Sequence, residues 1–347
     1  MPKKPNIEND GPWEVRDSEF PESGSDEEKL RFLLNYAILA PSTHNTQPWL
    51  WEIRENEVAL FADRSRLLPA LDPMGRELIM SCGAALQHLR LAIRAFGYAD
   101  IVALAPDAAR PDLLAYVRLA GRRPPTAQDR ALFEAIRDRH TNRRVFDCLE
   151  VPPDVIEALQ DAVSGENVWL QPIRRGEATR AIIDLVVRGD LIQASDPNMQ
   201  TDIFNWITAR SAGRDDGIPG QALGMNELSS QFPAARRAVN GGVARASKDE
   251  ILADSAPVIA VLGTENEGPA AWLAAGQGLA RVLLCARQHN LWVSFFNQPA
   301  QVDQLWPQLR HVLGRYDFPQ LILRIGYAAP VPATPRRPVS EVLTTAK

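Results

Sequence analysis

The sequence has few cysteines, no long apolar run and no large excess of charge. Its three cysteines, Cys82, Cys148 and Cys285, show no CxxC spacing, so the pattern indicates neither a disulfide framework nor a cysteine-based metal site. No run approaches the roughly 18 apolar residues of a membrane helix, and the N-terminal residues contain no apolar signal segment. The net charge of −5 at pH 7 gives no attraction to nucleic acid or to an anionic membrane. We therefore expect a cytoplasmic protein with neither kind of partner.

Two parts of the chain resemble each other. SCGAALQHLRLAIRAFGY aligns without a gap with AAGQGLARVLLCARQHNL, so that Gly83 falls on Gly276, and the apolar residues of both recur with helical spacing. DLLAYVRLAG, from Asp112, matches PQLILRIGY, from Pro319, and EEKLRFLLNYA matches PDVIEALQDAV. Amphipathic helices can look alike by chance, but three matching elements in one order favour an internal duplication. The sequence thus predicts two fused copies of one α+β unit.

Composition places the boundaries of these units. AGRRPPTAQDR, residues 120–130, is a Pro- and Arg-rich linker between the copies. A second region rich in Gly and Pro predicts a loop-rich lid inside the second copy. The polar N-terminal residues predict a loose arm. The predicted parts are a flexible arm at 1–25, a first half at 26–122, and a second half at 123–347 that includes the lid at about 195–248 and a C-terminal tail.

A polar loop, PSTHNTQPW, lies at residues 41–49 between a predicted helix, EEKLRFLLNYAILA, and predicted strands, WLWEIRENEVALF. Pro41 ends the helix and Pro48 stiffens the exit of the loop. Six consecutive hydrogen-bonding side chains at such a corner can surround a polar, planar ligand. Ser, Thr and Asn also favour turns that bind nothing, so the loop alone leaves both interpretations open.

A cluster of cations opens the second half, in ALFEAIRDRHTNRRVFD. Leu132, Ala135 and Ile136 share one face of a predicted helix, and the arginines and His140 follow at its end. Guanidinium groups match the oxygens of a phosphate, but a solvated corner paired with nearby acids is the alternative. The first half has no such cluster and the second half has no loop like PSTHNTQPW. If the halves pack about a pseudo-two-fold axis, the loop and the cations can meet in one cleft.

RHTNRRVF, PSTHNTQPW and TPRRPVSEVL together resemble the nitroreductase family of FMN-dependent oxidoreductases, over nearly the whole chain. The resemblance is closest to the fused, pseudo-dimeric Acg-like branch, which also shares the segment WITARSAGRDDGIPGQALG. It implies an α+β fold: two α/β sandwich units, each a mixed sheet flanked by helices, that form an intramolecular pseudo-dimer with a lid insertion. The chain is then expected to act as a monomer, and further oligomerisation stays open.

The resemblance also implies the cofactor site. In the family, an arginine-containing arm, here residues 139–143, would hold the phosphate and the ribityl chain of FMN, and basic residues of the tail would add to the phosphate site. The loop would hold the ring edge, and Arg143 would stabilise the reduced flavin. The segment SFFNQP would pass near the flavin N5, although it lacks the glycine usual in the family. The implied FMN-binding residues are Pro41, Ser42, Thr43 and Asn45 of the loop, Arg139, His140, Thr141 and Arg143 of the arm, Asn297, and Arg336 and Arg337 of the tail.

The activity that the resemblance implies is NAD(P)H-dependent reduction of a small-molecule electron acceptor, such as a nitroaromatic or a quinone. The flavin would carry the chemistry, so no catalytic side chain and no metal is expected; the five histidines show no metal-ligand spacing. The lid could close over the flavin, with Phe204, Trp206 and Phe232 near the ring or simply packing the lid. A non-catalytic protein that sequesters or stores FMN is therefore the alternative.

Overall fold

The computed structural model describes residues 11–104, 109–164, 167–173, 175–208, 213–225 and 242–344. Each half contains both helices and strands, and their order follows the predicted duplication. The helices are α1 (Asp26–Ala37), α2 (Arg76–Ala95), α3 (Ala127–Asp138), α4 (Pro153–Asp161), α5 (Glu177–Ser195), α6 (Pro197–Asn205), α7 (Gly242–Asp254), α8 (Pro269–Gln288), α9 (Gln298–Gln301), α10 (Trp306–Leu313) and α11 (Val339–Val342). The strands are β1 (Trp49–Arg54), β2 (Glu57–Ala62), β3 (Tyr98–Leu104), β4 (Leu113–Arg122), β5 (Val168–Ile173), β6 (Ile207–Thr208), β7 (Ile218–Pro219), β8 (Val258–Thr264), β9 (Trp292–Phe295) and β10 (Phe318–Gly326).

Local sequence explains where the two helices that lead into the site begin. Ser25 and Glu28 form a capping box at the start of α1, and Thr126 and Asp129 form one at the start of α3. Each box satisfies backbone N–H groups that have no partner inside the helix. The buried face of α3 carries Leu132, Ala135 and Ile136, as the sequence predicts.

The two halves contain sheets of the same strand order. In the first half the order is β1-β2-β4-β3, and in the second it is β5-β8-β10-β9. Counted within each four-stranded sheet, the first, second, fourth and third strands in chain order lie side by side, and every pairing of these strands is antiparallel. A mixed sheet also contains parallel pairs. Beside these two sheets the parallel pairs are isolated bridges, Trp51 with Leu343 and Thr141 with Val293. The shared order is what duplication of one unit produces.

The long helices α2 and α8 join the halves. Each packs on its own sheet and the two pack on each other. They approach most closely at Gly83 and Gly276, the glycines that the sequence alignment pairs. A Cβ at Gly83 would lie 2.2 Å from the carbonyl oxygen of Leu273, and one at Gly276 would lie 1.9 Å from that of Met80. Only glycine permits this contact between the halves.

The insertion lies between β5 and β8. These strands of the second half correspond to the β1–β2 hairpin of the first half. Strands β1 and β2 are joined by two residues, whereas residues 174–257 separate β5 from β8. The sequence predicts a loop-rich lid at 195–248, but the described part of this segment contains more helix than that. Asp196 caps α6 and Pro197 occupies its first turn. Small apolar clusters bury α5, α6 and α7 beside the main core.

The described segments near both ends of the chain are anchored to the rest of the fold. The tail runs back to the first sheet, where Thr344 N donates to Trp51 O at 2.7 Å. The predicted loose arm also differs from expectation in its described part, residues 11–25. Trp13 Nε1 donates to Thr334 O at 2.9 Å, and the Tyr36 hydroxyl donates to Asp17 at 2.5 Å. Aromatic packing and hydrogen bonds therefore anchor residues 11–25.

Candidate functional site

The polar loop has an unusual backbone. His44, Asn45 and Gln47 have φ values of 50°, 56° and 51°, the left-handed region that costs most residues roughly 1–2 kcal/mol. Asparagine tolerates this conformation better than most side chains. Left-handed residues concentrated in one short loop are typical of a site where geometry serves a function.

Contacts with helix α2 hold the start of this loop. Thr43 Oγ1 donates to Glu77 Oε2 at 2.9 Å, and the backbone N–H of Thr43 donates to Ser81 Oγ at 3.2 Å. Within the loop, Ser42 Oγ accepts from the backbone N–H of Gln47 at 2.9 Å. The helix and the loop therefore fix the backbone before any ligand binds.

The insertion closes on the loop from another side. Asn45 Nδ2 donates to Gly217 O at 2.9 Å, and the backbone N–H of Gly217 donates to Asn45 O at 3.1 Å. Gln47 Nε2 donates to Asp215 O at 2.8 Å. Arg66 links the same two segments, since it donates to Thr46 O and to Asp216 Oδ2. The loop and residues 213–217 thus form one hydrogen-bonded unit.

The C-terminal tail completes the loop. Arg336 Nη1 donates to Asn45 Oδ1 at 2.8 Å, and Asn45 Nδ2 donates to Pro335 O at 3.0 Å. Arg337 contacts the other side of the loop, because its backbone N–H donates to Gln47 Oε1 at 2.8 Å and its side chain reaches Gln47 O and Glu341. Arg336 therefore points into the site, whereas Arg337 fastens the tail to the loop.

Two buried guanidinium groups converge where α1 ends. Arg139 Nη2 and Arg336 Nη2 both donate to Leu39 O, at 3.2 and 3.4 Å, and each residue is 3% exposed. The Nε atoms of both have no partner within the described residues. Burial lowers the pKa of Arg139 to about 10; burial and the neighbouring charge of Arg139 lower the pKa of Arg336 well below its usual range.

Arg143 lies in the same cavity on a tightly held backbone. Arg324 Nη2 donates to the carbonyl oxygens of Asn142 and Arg144, at 3.2 and 2.7 Å, on either side of Arg143. Asn142 Nδ2 donates to Ala329 O at 2.9 Å. Burial lowers the pKa of Arg143 to about 10. A cation with a fixed backbone is thereby presented to the cavity.

One cavity of about 220 Å³ collects most of the predicted residues. It lies between the polar loop, the cation cluster and the tail, so parts that are far apart in the sequence meet there, as the divided-site argument predicts. His140 and Arg337 do not line this cavity; the His140 ring packs edge-on against Trp13 at 4.9 Å. The predicted residues that line it are Pro41, Ser42, Thr43, Asn45, Arg139, Thr141, Arg143, Asn297 and Arg336.

Several lining residues had no signal in the sequence. Glu77 and Ser81 face the cavity from α2, and Arg245, Lys248 and Asp249 face it from α7. The two cations of α7 fall inside the predicted lid, but nothing in their spacing distinguished them. His44 also lines the cavity, and burial, together with the charges of Arg245 and Arg143, lowers its pKa to about 3.

The two lid aromatics among the described residues, Phe204 and Trp206, do not line the cavity. Phe204 belongs to a small apolar cluster of the insertion. The Trp206 ring packs near the guanidinium groups of Arg66 and Arg214, whose Cζ atoms lie 5.7 and 5.5 Å from the ring centre. Phe232 lies outside the described residues. For Phe204 and Trp206 the structure supports packing of the insertion, and Ile203 and Ile207 line the cavity instead.

The described ranges contain neither a candidate metal centre nor a membrane helix. No group of His, Cys, Asp or Glu in these ranges could hold a metal ion. No helix in the same ranges is both long enough and apolar enough to cross a membrane.

Comparison with known proteins identifies the family. A Mycobacterium tuberculosis protein that carries the provisional name NAD(P)H nitroreductase is 32% identical over 325 residues, which are 92% of this chain and 92% of that protein. This chain belongs to the NAD(P)H nitroreductase family. Acg of the same organism is 29% identical over 323 residues, 90% of this nitroreductase and 94% of Acg. No protein-family model matches the chain.

Solved structures with a similar course of the chain are shorter. The FMN-dependent nitroreductase NfnB of Mycobacterium smegmatis in complex with NADPH gives a TM-score of 0.43 at 15% identity, over 62% of this chain and 98% of that one. The FMN- and NADPH-dependent nitroreductase NfnB of a Sphingopyxis strain gives a TM-score of 0.42 at 21% identity, over 61% of this chain and 97% of that one.

Proposed function

We propose that this nitroreductase binds one FMN in the cavity between its halves and uses it to pass hydride from NAD(P)H to a small electron acceptor such as a nitroaromatic or a quinone. The bound flavin supplies the redox chemistry. The protein supplies a site for the phosphate, a cation beside the ring and a restricted approach to it. The close relatives named as NAD(P)H nitroreductases support the activity.

The observation that carries the proposal is the pair of buried arginines without a carboxylate partner. Arg139 and Arg336 donate hydrogen bonds only to neutral oxygens among the described residues, and each retains an unpartnered Nε. A buried cation is costly unless an anion balances it. A phosphate fits this requirement, since the guanidinium fork matches its oxygens and its charge is negative.

The remaining residues fit the rest of FMN. Ser42, Thr43 and Asn45 offer hydroxyl and amide groups on a rigid loop, which suits the polar edge of a flavin. Arg143 carries a positive charge into the same cavity, where it would stabilise negative charge that develops on the ring. Thr141 and Asn297 complete the polar lining. The cavity therefore has a cationic end and a hydrogen-bonding end.

Anaerobic mixing of the FMN-loaded protein with NADPH or NADH tests the activity. We expect loss of the visible flavin absorbance, followed by its recovery when a nitroaromatic or a quinone is added. Arg143→Ala should retain FMN and slow the loss, because the cation stabilises the reduced ring more than the oxidised ring. If the flavin absorbance of this variant fell at the wild-type rate, Arg143 would not stabilise the reduced ring as proposed.

Storage of FMN is the second candidate, because the insertion is tied to the loop. Asn45, Gln47 and Arg66 all bond to residues 215–217, and this closure restricts access to the cavity. The same experiment separates the candidates. A protein that stores FMN would hold the flavin through photoreduction and yet show no bleaching with either nicotinamide nucleotide.

A further inference from the structure

One part of the cavity wall consists of amide and carboxylate side chains. Glu77 of α2, Gln193 of α5, Asp249 of α7, and Gln298 and Gln301 of α9 all line it. None of these residues belongs to the cationic part of the cavity that we assign to FMN. Their hydrogen bonds determine which atom each glutamine presents.

The first glutamine is oriented by a chain of hydrogen bonds that starts at Glu77. Gln301 Nε2 donates to both carboxylate oxygens of Glu77, at 2.9 and 3.1 Å, and Gln193 Nε2 donates to Gln301 Oε1 at 2.8 Å. An ionised carboxylate only accepts hydrogen bonds. Rotation of either amide by half a turn would therefore place oxygen against oxygen, so Gln193 Oε1 is directed away from this chain.

The second glutamine is oriented in the same manner by two acids. Gln298 Nε2 donates to Asp190 Oδ1 and to Asp249 Oδ2, both at 2.9 Å. Arg245 Nε lies 2.8 Å from Asp190 Oδ1 and balances one of these charges. Both amide hydrogens of Gln298 are thereby used, and its oxygen is the atom left over.

The two leftover oxygens are buried and have no partner. Gln193 is 1% exposed and Gln298 is 3% exposed, and neither Oε1 receives a hydrogen bond within the described part of the chain. The residues are neighbours, because Gly189, one turn before Gln193, approaches Gln298 so closely that a Cβ there would lie 2.7 Å from Gln298 Cβ. A buried acceptor without a donor costs roughly 1–3 kcal/mol.

We propose that Gln193 Oε1 and Gln298 Oε1 form a subsite for an N–H2 group, as in a primary carboxamide, on a ligand of the flavin site. The inference rests on the function proposed above. Two acceptors on neighbouring residues match the two N–H donors of such a group. The carboxamide can come from the reduced nicotinamide or from the electron acceptor.

One chemical change, CONH2 to COCH3, tests both sources. In the first arm, the FMN-loaded protein is reduced with NADPH or with its reduced 3-acetylpyridine analogue. In the second arm, photoreduced protein is reoxidised by 4-nitrobenzamide or by 4-nitroacetophenone. The amide-to-ketone ratio of rates is measured for the wild type, for Gln193→Met and for Gln298→Met, so that intrinsic reactivity cancels between proteins.

We expect both glutamine variants to lower the amide-to-ketone ratio in one arm by roughly 3- to 10-fold, the range for loss of one hydrogen bond. The control is Gln87→Met, the same change at a buried glutamine outside the cavity whose oxygen is paired with Arg281; its ratio should equal that of the wild type. Thermal unfolding shows whether each variant is folded.

An unchanged ratio in both arms, with the variants folded, would overturn the subsite and leave the oxygens as binders of water only. Failure of the proposed function looks different. In that case no nicotinamide nucleotide bleaches the flavin in any variant, while the second arm, which needs only photoreduction, still reports on the subsite. Titration with oxidised NADP+ and with its 3-acetylpyridine analogue compares their affinities. This comparison tests recognition of the nicotinamide carboxamide without turnover.

Discussion

Arg336 Nη1 lies 2.8 Å from Asn45 Oδ1 although 291 residues separate them in the chain. The contact joins the tail of the second half to the polar loop of the first half. It places a buried cation and an amide at one edge of the cavity. Arg139, from the start of the second half, lines the same cavity. A single site assembled from both halves is the simplest account of this geometry.

Removal of either buried arginine should weaken FMN binding. A charge-assisted hydrogen bond contributes roughly 1.5–3 kcal/mol, so Arg139→Ala and Arg336→Ala should each raise the Kd of FMN by about one to two powers of ten. Fluorescence titration of the apoprotein with FMN measures this. Arg137→Ala is the matched control, because Arg137 lies in the last turn of α3, just before Arg139, but pairs with Asp17.

The glycines at the crossing of α2 and α8 give a second prediction. Gly83→Ala would place a methyl group 2.2 Å from a carbonyl oxygen, and overpacking of this kind costs about 1–3 kcal/mol or more. Denaturant unfolding should show that loss. Gly121→Ala, where a Cβ meets nothing within 4 Å, should change the free energy of unfolding little. Equal stability of the two variants would contradict the close contact.

The left-handed loop gives a third prediction. Asn45→Ala removes the hydrogen bonds to Gly217, Pro335 and Arg336 and leaves alanine at a φ of 56°. Asn45→Gly loses the same bonds but adopts that φ without strain. We expect both to be destabilised, and the alanine variant to be less stable than the glycine variant by about 1 kcal/mol. The comparison is made by chemical denaturation; a more stable alanine variant would argue against strain here.

His88 gives a prediction for pH dependence. It is 0% exposed, and burial, together with the charges of Arg139 and Arg336, lowers its pKa to about 3. Above pH 6.5 the folded and unfolded states both carry a neutral imidazole. As the pH falls from 6.5 toward 3, only the unfolded state gains the proton, so the free energy of unfolding decreases.

The contribution of His88 is isolated by a variant. The free energy of unfolding falls by about 1.4 kcal/mol per pH unit in this range. The His88→Gln variant lacks this pH-dependent decrease. We expect the advantage of the wild type over this variant to shrink by about 2 kcal/mol between pH 6.5 and 5. An advantage that stays constant over this range in urea unfolding would show that His88 takes up a proton in the folded state.

Local signals in the sequence predicted the fold well. The helical spacing before Pro41 and the alternation after Trp49 correspond to α1 and the hairpin of β1 and β2. The aligned glycines, Gly83 and Gly276, are the residues at which the halves touch. These features depend on near neighbours or on repetition, which a single sequence displays directly.

The site was less predictable because side-chain direction depends on tertiary contacts. Arg336 and Arg337 are adjacent and chemically alike, yet Arg336 enters the cavity and Arg337 bonds to Gln47. Gln193 and Gln298 gain their significance only from partners that the fold brings beside them, Gln301 and Asp190. No pattern of residue spacing in the sequence predicts these tertiary contacts. The assignment of FMN-binding roles to the lining residues remains a prediction.

The most direct test of the divided site is the stoichiometry of FMN binding to the whole chain. Calorimetric titration of the apoprotein should give one FMN per polypeptide, because the loop and the arginines meet in one cavity. The double variant Arg139→Ala and Arg336→Ala should lose most of this affinity. Two FMN molecules per chain, or an unchanged affinity in a folded double variant, would contradict the account.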